Sequence, residues 1–236
     1  MTEQKNGKVA IVTGAGSGVG EQIAIQLAEE GYQLVLVGRT KQTLDRVGEG
    51  LGTEWVSVAA DVGVVGDRER VIQEAVGAFG RVDALVNNAG LAVFNKMARI
   101  EGGELDAMFA VNAVGPVDLA RRVVGDMAKR GDGVIVNVSS MAQVDPFAGL
   151  GVYGCAKGAV GVLAKAVANE YGDKGVRGYS ICPGAIETRM LRSFLPESAL
   201  PASATLAPAE VARVVVDCVI GETDLENGAI FEMPSH

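Results

Sequence analysis

Tyr153 and Lys157 stand four residues apart in "GVYGCAKGAV" (151–160). At that spacing two side chains are neighbours on one helix face. A phenol beside an ammonium can exchange a proton with a substrate oxygen, because the cation favours the phenolate. With four tyrosines and eight lysines in 236 residues, such a pair arises by accident about one time in eight, so the rest of the chain must build a site around it. Few other groups are available for acid–base work. The single histidine is His236, the last residue, so a Ser-His-Asp triad or a His-ligated metal would depend on a terminus prone to fray. The cysteines, 155, 182 and 218, are widely spaced with no C-x-x-C. They read as buried free thiols in a reducing compartment, and no metal site is expected.

A second chemical signal lies upstream. "IVTGAGSGVGEQIA" (11–24) places glycines at the end of an apolar strand and the start of a helix, spaced Gly14-x-x-x-Gly18-x-Gly20. Glycines permit a tight turn and close backbone approach, and a helix N-terminus presents free N–H groups to a pyrophosphate. The end of the next strand selects the cofactor: a carboxylate holds the ribose 2′-OH of NAD, whereas an arginine accommodates a 2′-phosphate. Here Gly38 stands where the acid would be, followed by Arg39 and Thr40. NADP(H) is therefore expected in preference to NAD(H).

Elements that could position these residues alternate regularly. Apolar runs at 8–12, 33–37, 55–59, 83–87, 133–138, 176–181 and 229–233 read as strands. Helical patterns fill 18–31, 40–51, 67–79, a long region ending near 128, the stretch from Tyr153 to 171, and 208–220. Strands that are almost wholly apolar imply burial on both faces, hence a parallel sheet. Strict β–α alternation gives an α/β doubly wound (Rossmann) sheet of about seven strands with helices on both faces. Nothing divides residues 1–236 into two domains. The one long irregular stretch, 188–207, reads as a short substrate lid.

Composition narrows the function. A net charge of −8 disfavours nucleic acid as a partner. No apolar run approaches a membrane span, and "MTEQKNGKVA" lacks a signal-peptide core, so the chain reads as soluble and cytoplasmic.

Seven motifs in order give the chain a strong resemblance to the compact branch of the short-chain dehydrogenase/reductase family. They are "TGAGSGVG" (13–20), "ADV" (60–62), "NNAG" (87–90), "VNAVGP" (111–116), "IVNVSS" (135–140), "YGCAK" (153–157) and "CPGAIET" (182–188). The resemblance implies catalysis by Asn112, Ser140, Tyr153 and Lys157, with Asn112 holding a water and Ser140 chosen over Ser139 by its distance from Tyr153. It implies cofactor contacts at Gly14, Ser17, Gly18, Val19, Gly20, Arg39, Thr40, Asp61, Val62, Asn88, Ala89, Gly90, Tyr153, Lys157, Pro183, Gly184, Ile186 and Thr188. Tyr153 is expected to work as the acid/base of ketone reduction, its pKa lowered by Lys157.

Leu91, Val93, Phe94, Met141, Gln143, Val144, Phe147, Met190, Leu191 and Phe194 are expected to line an apolar pocket for a carbonyl or alcohol substrate. The broad pattern is similar to 3-oxoacyl thioester reductases, for which Lys129, Arg130 and Lys174 could greet an acidic carrier. Gly158, Gly161, Ala164 and Ala168 form a slim helix face, expected to meet a second copy in a homodimer or homotetramer. A catalytically idle NADP(H)-binding sensor or scaffold is the alternative, which the complete Ser–Tyr–Lys set disfavours.

Overall fold

The computed structural model describes residues 7–235; the first six residues and His236 lie outside the described residues. Seven strands form one parallel sheet in the order β3-β2-β1-β4-β5-β6-β7. They are β1 (Val9–Thr13), β2 (Gln33–Gly38), β3 (Trp55–Ala59), β4 (Ala84–Asn87), β5 (Gly133–Val138), β6 (Val176–Pro183) and β7 (Ile230–Met233). The long helices are α1 (Gly18–Glu29), α2 (Lys41–Glu49), α3 (Val65–Phe79), α4 (Gly102–Phe109), α5 (Gly115–Arg130), α6 (Gly151–Tyr171) and α8 (Pro208–Ile220), with a short α7 (Arg189–Phe194). Among the described residues no helix is long and apolar enough to cross a membrane.

The strand sequences sort themselves by their period of two. Ala10, Val12, Leu34, Leu36 and Val86 face one layer, where they pack with Ile23 and Leu27 of α1 and Val211 and Val215 of α8. Val9, Ile11, Val35, Val37 and Leu85 face the other, with Val71 of α3 and Leu119, Val123 and Met127 of α5. The strand order reverses between β1 and β4. A crevice opens at such a switch point, beyond the carboxyl ends of the strands.

Two segments depart from the sequence reading. The chain after β4 does not enter a helix at once. Residues 88–101 carry only a single turn at Met97–Arg99, and α4 and α5 are joined by a wide π-turn at Ala110–Val114. Pro116 sits at the start of α5 and has no N–H for the carbonyl four residues back, which favours that widening. Residues 188–207 are not irregular either. Thr188 caps α7, accepting from the Leu191 N–H at 3.3 Å, and Ile186 pairs with Leu206. The Arg192 guanidinium grips Glu187 and donates to the Leu200 carbonyl at 2.8 Å.

One ion cluster ties α3 to α5 and braces the loop at Val62. Buried Arg68 donates to Asp118 at 2.7 Å and to the Val62 carbonyl at 2.8 Å. Arg121 and Arg122 also donate to Asp118. Burial pushes the Asp118 carboxyl up, but the three guanidiniums outweigh it and hold it well below the usual carboxylate range. A folded pKa below the unfolded one gives stability that is present above about pH 4 and lost as pH falls through the folded value. Asp118→Ala leaves Arg68 buried and unpaired and is expected to cost about 3 kcal/mol at pH 7, read by urea unfolding. The deficit should shrink in acid; a deficit unchanged down to pH 2 would contradict the assignment.

Candidate active site

A cleft of about 690 Å³ lies over the carboxyl ends of β1, β4, β5 and β6. The glycine turn forms its floor. Gly14 and Gly18 hold φ of +69° and +58°, a region that costs other residues dearly. A Cβ on Gly20 would sit 2.2 Å from the Gly14 carbonyl oxygen. Gly20 is thus a close-approach residue beneath the turn and does not line the cleft, unlike Gly14, Ser17, Gly18 and Val19. Ser17 makes no side-chain cap to α1, so the first-turn N–H groups of that helix are left for another acceptor. A backbone pressed this close, with free donors, fits a dinucleotide pyrophosphate.

Arg39 and Thr40 flank the same cleft. Arg39 is exposed and has no carboxylate partner among the described residues. Asp61 and Val62 close the far side; Asp61 accepts from the Gly63 N–H at 2.8 Å.

Against the glycine turn, Asn88, Ala89 and Gly90 are fixed by Thr13. Its hydroxyl oxygen accepts from the Asn88 and Ala89 N–H groups at 2.9 and 3.0 Å, and Asn88 Nδ2 donates to the Thr13 carbonyl at 2.8 Å. Pro183, Gly184, Ile186 and Thr188 complete the wall. Sequence reasoning missed Thr13 as a positioning residue, although it opens the first motif. It also missed Arg189, an exposed cation lining the cleft directly after Thr188, which no pattern singled out.

Ser140, Tyr153 and Lys157 meet in this cleft. Ser140 follows β5 and caps the turn Met141–Gln143; its oxygen accepts from the Ala142 N–H at 3.1 Å, leaving its own proton free to donate. Ser139 is buried and lies within reach of the Gln143 side chain and the Lys157 carbonyl, so the accessible hydroxyl is that of Ser140. Lys157 is 3% exposed, and its ammonium donates to the Val138 carbonyl at 2.8 Å, 5.9 Å from the centre of the Tyr153 ring. Asn112 is buried in the π-turn. Its amide clamps the Leu91 backbone, donating to the carbonyl at 2.6 Å and accepting from the N–H at 2.9 Å. A Cβ on Gly90 would lie 3.3 Å from Asn112 Oδ1 and 3.5 Å from Lys157 Nζ, so the three residues form one cluster.

The electrostatics correct one expectation. Burial pushes the Tyr153 phenol up to about 12, with the Ser140 hydroxyl pulling the other way. Burial likewise pushes the Lys157 ammonium down to about 8, against a small opposing effect of Cys182. Lys157 gives one of its three N–H groups to Val138, and burial is the largest influence on the phenol. A phenol held this high keeps its proton at neutral pH.

The expected substrate pocket is only partly assembled. Leu91 and Met190 line the cleft. Phe94 stacks on Phe194, ring centres 5.3 Å apart, joining the loop after β4 to α7. Val144 and Phe147 are exposed, Leu191 is buried, and Gln143 turns inward. Much of the slim face of α6 is also internal. Gly161 and Ala164 are buried, and Ala168 packs near Gly228, so these three make room within the chain, whereas a Cβ on Gly158 would meet open space. The basic residues expected to greet a carrier are engaged elsewhere. Lys129 pairs with Asp126, Arg130 with the Val82 carbonyl, and Lys174 lies over Tyr171. They sit beside the starts of β5 and β6, at the opposite end of the sheet from the cleft.

A parallel sheet with a glycine turn at its switch point and a Ser–Tyr–Lys cluster facing it defines a dinucleotide-binding oxidoreductase. The family model for short chain dehydrogenases matches residues 8–199, and the chain belongs to that family. An uncharacterised oxidoreductase of Thermotoga maritima is 35% identical over 199 residues, covering 83% of this chain and 78% of the relative. The crystal structure of 3-ketoacyl-(acyl-carrier-protein) reductase from Brucella melitensis complexed with NADH superimposes with a TM-score of 0.89 at 31% identity, covering 97% of both chains. Levodione reductase does so with a TM-score of 0.88 at 27% identity, covering 95% of each.

Proposed function

We propose that this oxidoreductase is an NADP(H)-dependent carbonyl reductase, interconverting a ketone and a secondary alcohol. The observation that carries the reading is the meeting of Ser140, Tyr153 and Lys157 with the glycine turn and the unpaired Arg39 in one cleft. The bound nicotinamide supplies the hydride. Tyr153, protonated at pH 7, gives its proton to the carbonyl oxygen, and Ser140 donates a hydrogen bond to that oxygen as charge develops on it. Lys157 steadies the phenolate that results. Asn112 acts through the Leu91 backbone, holding the wall of the cleft. Leu91, Met190 and the Phe94–Phe194 stack favour an apolar ketone, with residues 188–207 as its lid. The likeness to levodione reductase supports a carbonyl substrate.

The cofactor preference rests on Arg39. The Brucella relative was crystallised with NADH, so support for the preference comes from this chain's own Arg39 and not from that likeness. Arg39→Ala is expected to raise the Kd for NADPH about tenfold to hundredfold, the worth of a charge-assisted bond, and to leave NADH within about twofold. Equal losses for both, measured by fluorescence titration, would remove the argument.

A second copy of the chain is the expected protein partner, in a homodimer or homotetramer. Leu105, Phe109, Val114 and Val117 leave an apolar strip exposed along α4 and α5, with Val162 exposed on α6. Exposed apolar side chains clustered along neighbouring helices support an interface there. Light scattering should report twice or four times the 24.3 kDa chain mass; a monomer at micromolar concentration would sink this assignment.

A further inference from the structure

Gln143 belongs to the turn that carries Ser140, yet it points away from the cleft into a buried polar pocket. Its amide lies 3.0 Å from Cys182 Sγ on β6 and 2.8 Å from Ser139 Oγ at the end of β5. The same Ser139 hydroxyl lies 2.9 Å from the Lys157 carbonyl on α6. A hydroxyl has one proton, so Ser139 cannot serve both the Gln143 oxygen and the Lys157 carbonyl. Turning the amide lets all three contacts form without sharing a proton. The Cys182 thiol donates to Gln143 Oε1, Gln143 Nε2 donates to Ser139 Oγ, and Ser139 donates to the Lys157 carbonyl. The thiol keeps its proton for this, because burial pushes its pKa up.

The helix is shaped to receive the turn. A Cβ on Gly161 would lie 2.3 Å from the end of the Gln143 amide, and one on Gly154 would lie 2.1 Å from the Ala142 carbonyl. Gly154 and Gly161 stand three residues before and four after Lys157, on its own helix face. The turn after Ser140 is therefore seated on the stretch of α6 that bears Tyr153 and Lys157.

We propose that Gln143 is a positioning residue: the chain Cys182–Gln143–Ser139–Lys157 locks the Ser140 turn against α6 and sets the spacing between the Ser140 and Tyr153 hydroxyls. The inference rests on the reductase reading for its consequence, though not for its geometry. Gln143 itself lines no part of the cleft, and misplacement of a catalytic group by less than an ångström is enough to slow chemistry.

Three variants test it. Cys182→Ser keeps a donor, Cys182→Val removes it while keeping an apolar volume, and Gln143→Leu removes the link. Cys182→Val and Gln143→Leu are expected to lose about tenfold in kcat, with KM and NADPH Kd within about twofold. Cys182→Ser should retain the wild-type kcat. Crystal structures of the wild type and Gln143→Leu should show Ser140 Oγ displaced by about 0.5–1 Å relative to Tyr153. Equal kcat for Cys182→Val and Cys182→Ser would overturn the proposal, and so would a Ser140 turn that superimposes in the two crystals. If Gln143→Leu does not fold, the Cys182 pair decides alone. A wild type that turns over no ketone with NADPH or NADH would sink the reductase reading, and the crystal comparison would still judge the positioning.

Discussion

Tyr153→Phe is expected to lower kcat for ketone reduction by roughly a hundredfold to ten-thousandfold, the usual worth of a placed general acid. The change removes one oxygen and keeps the ring, so the fold and the cleft should survive. NADPH Kd should stay within about twofold, because the floor of the cleft belongs to the glycine turn and Arg39. The loss should fall on kcat and kcat/KM alike, as for an interaction made only in the transition state. The pH profile sharpens this. With the phenol near 12 and the ammonium near 8, the free enzyme holds both protons below about pH 8. Reduction measured as kcat/KM should be flat there and fall above it as Lys157 discharges. A profile that rises between pH 7 and 9 would contradict the assigned roles.

Lys157→Met is the second large effect, and it runs in two directions. Activity should fall at least a hundredfold, since Lys157 is the cation beside Tyr153 that answers the phenolate. Stability should rise. A lowering from 10.5 to about 8 corresponds to roughly 3 kcal/mol of disfavoured charge. The sign follows from proton binding: between pH 8 and 10.5 the unfolded chain holds more protons than the folded one, so wild-type stability rises with pH through that window. Below it the wild type carries the full penalty and the variant none. Losing the bond to Val138 returns about 1 kcal/mol of the gain. The variant should therefore be about 2 kcal/mol more stable than wild type at pH 7 in urea titrations. The difference should close by about pH 10. A variant less stable than wild type at pH 7 would show the ammonium to be a structural asset rather than a cost of function.

Much of this could be read from the chain because short-range patterns dictated it. Apolar runs such as Gly133–Val138 and the helix Pro208–Ile220 lie where periodicity put them, since a buried parallel strand and an amphipathic helix leave strong signals. The residues assigned to the cofactor also gather at one cleft, apart from Gly20, whose role is to let the backbone close. What periodicity could not show was direction and competition. A small residue such as Gly161 looks alike whether it faces a partner or the Gln143 side chain, and only the packed turn after Ser140 decides it. Gln143 read as a pocket residue because its neighbours in sequence line the approach, yet a 3₁₀ turn rotates it inward. The elevated pKa of Tyr153 was hidden for a similar reason. The i,i+4 spacing reveals that an ammonium is near, but not that a carbonyl at the end of the preceding strand accepts from it, nor how much water has been removed.

The central claim is that Tyr153 delivers the proton in an NADP(H)-dependent reduction. The most direct measurement mixes wild type and Tyr153→Phe, each saturated with NADPH, with a panel of apolar ketones, diketones and acyl thioesters, following loss of the reduced nicotinamide absorbance. The wild type should consume NADPH in step with at least one carbonyl compound, and Tyr153→Phe should bind NADPH equally well but consume it at least a hundredfold more slowly. Equal rates in the two proteins would contradict the mechanism. Tight NADPH binding with no consumption by the wild type on any carbonyl would contradict the reductase itself and leave a nucleotide-binding sensor in its place.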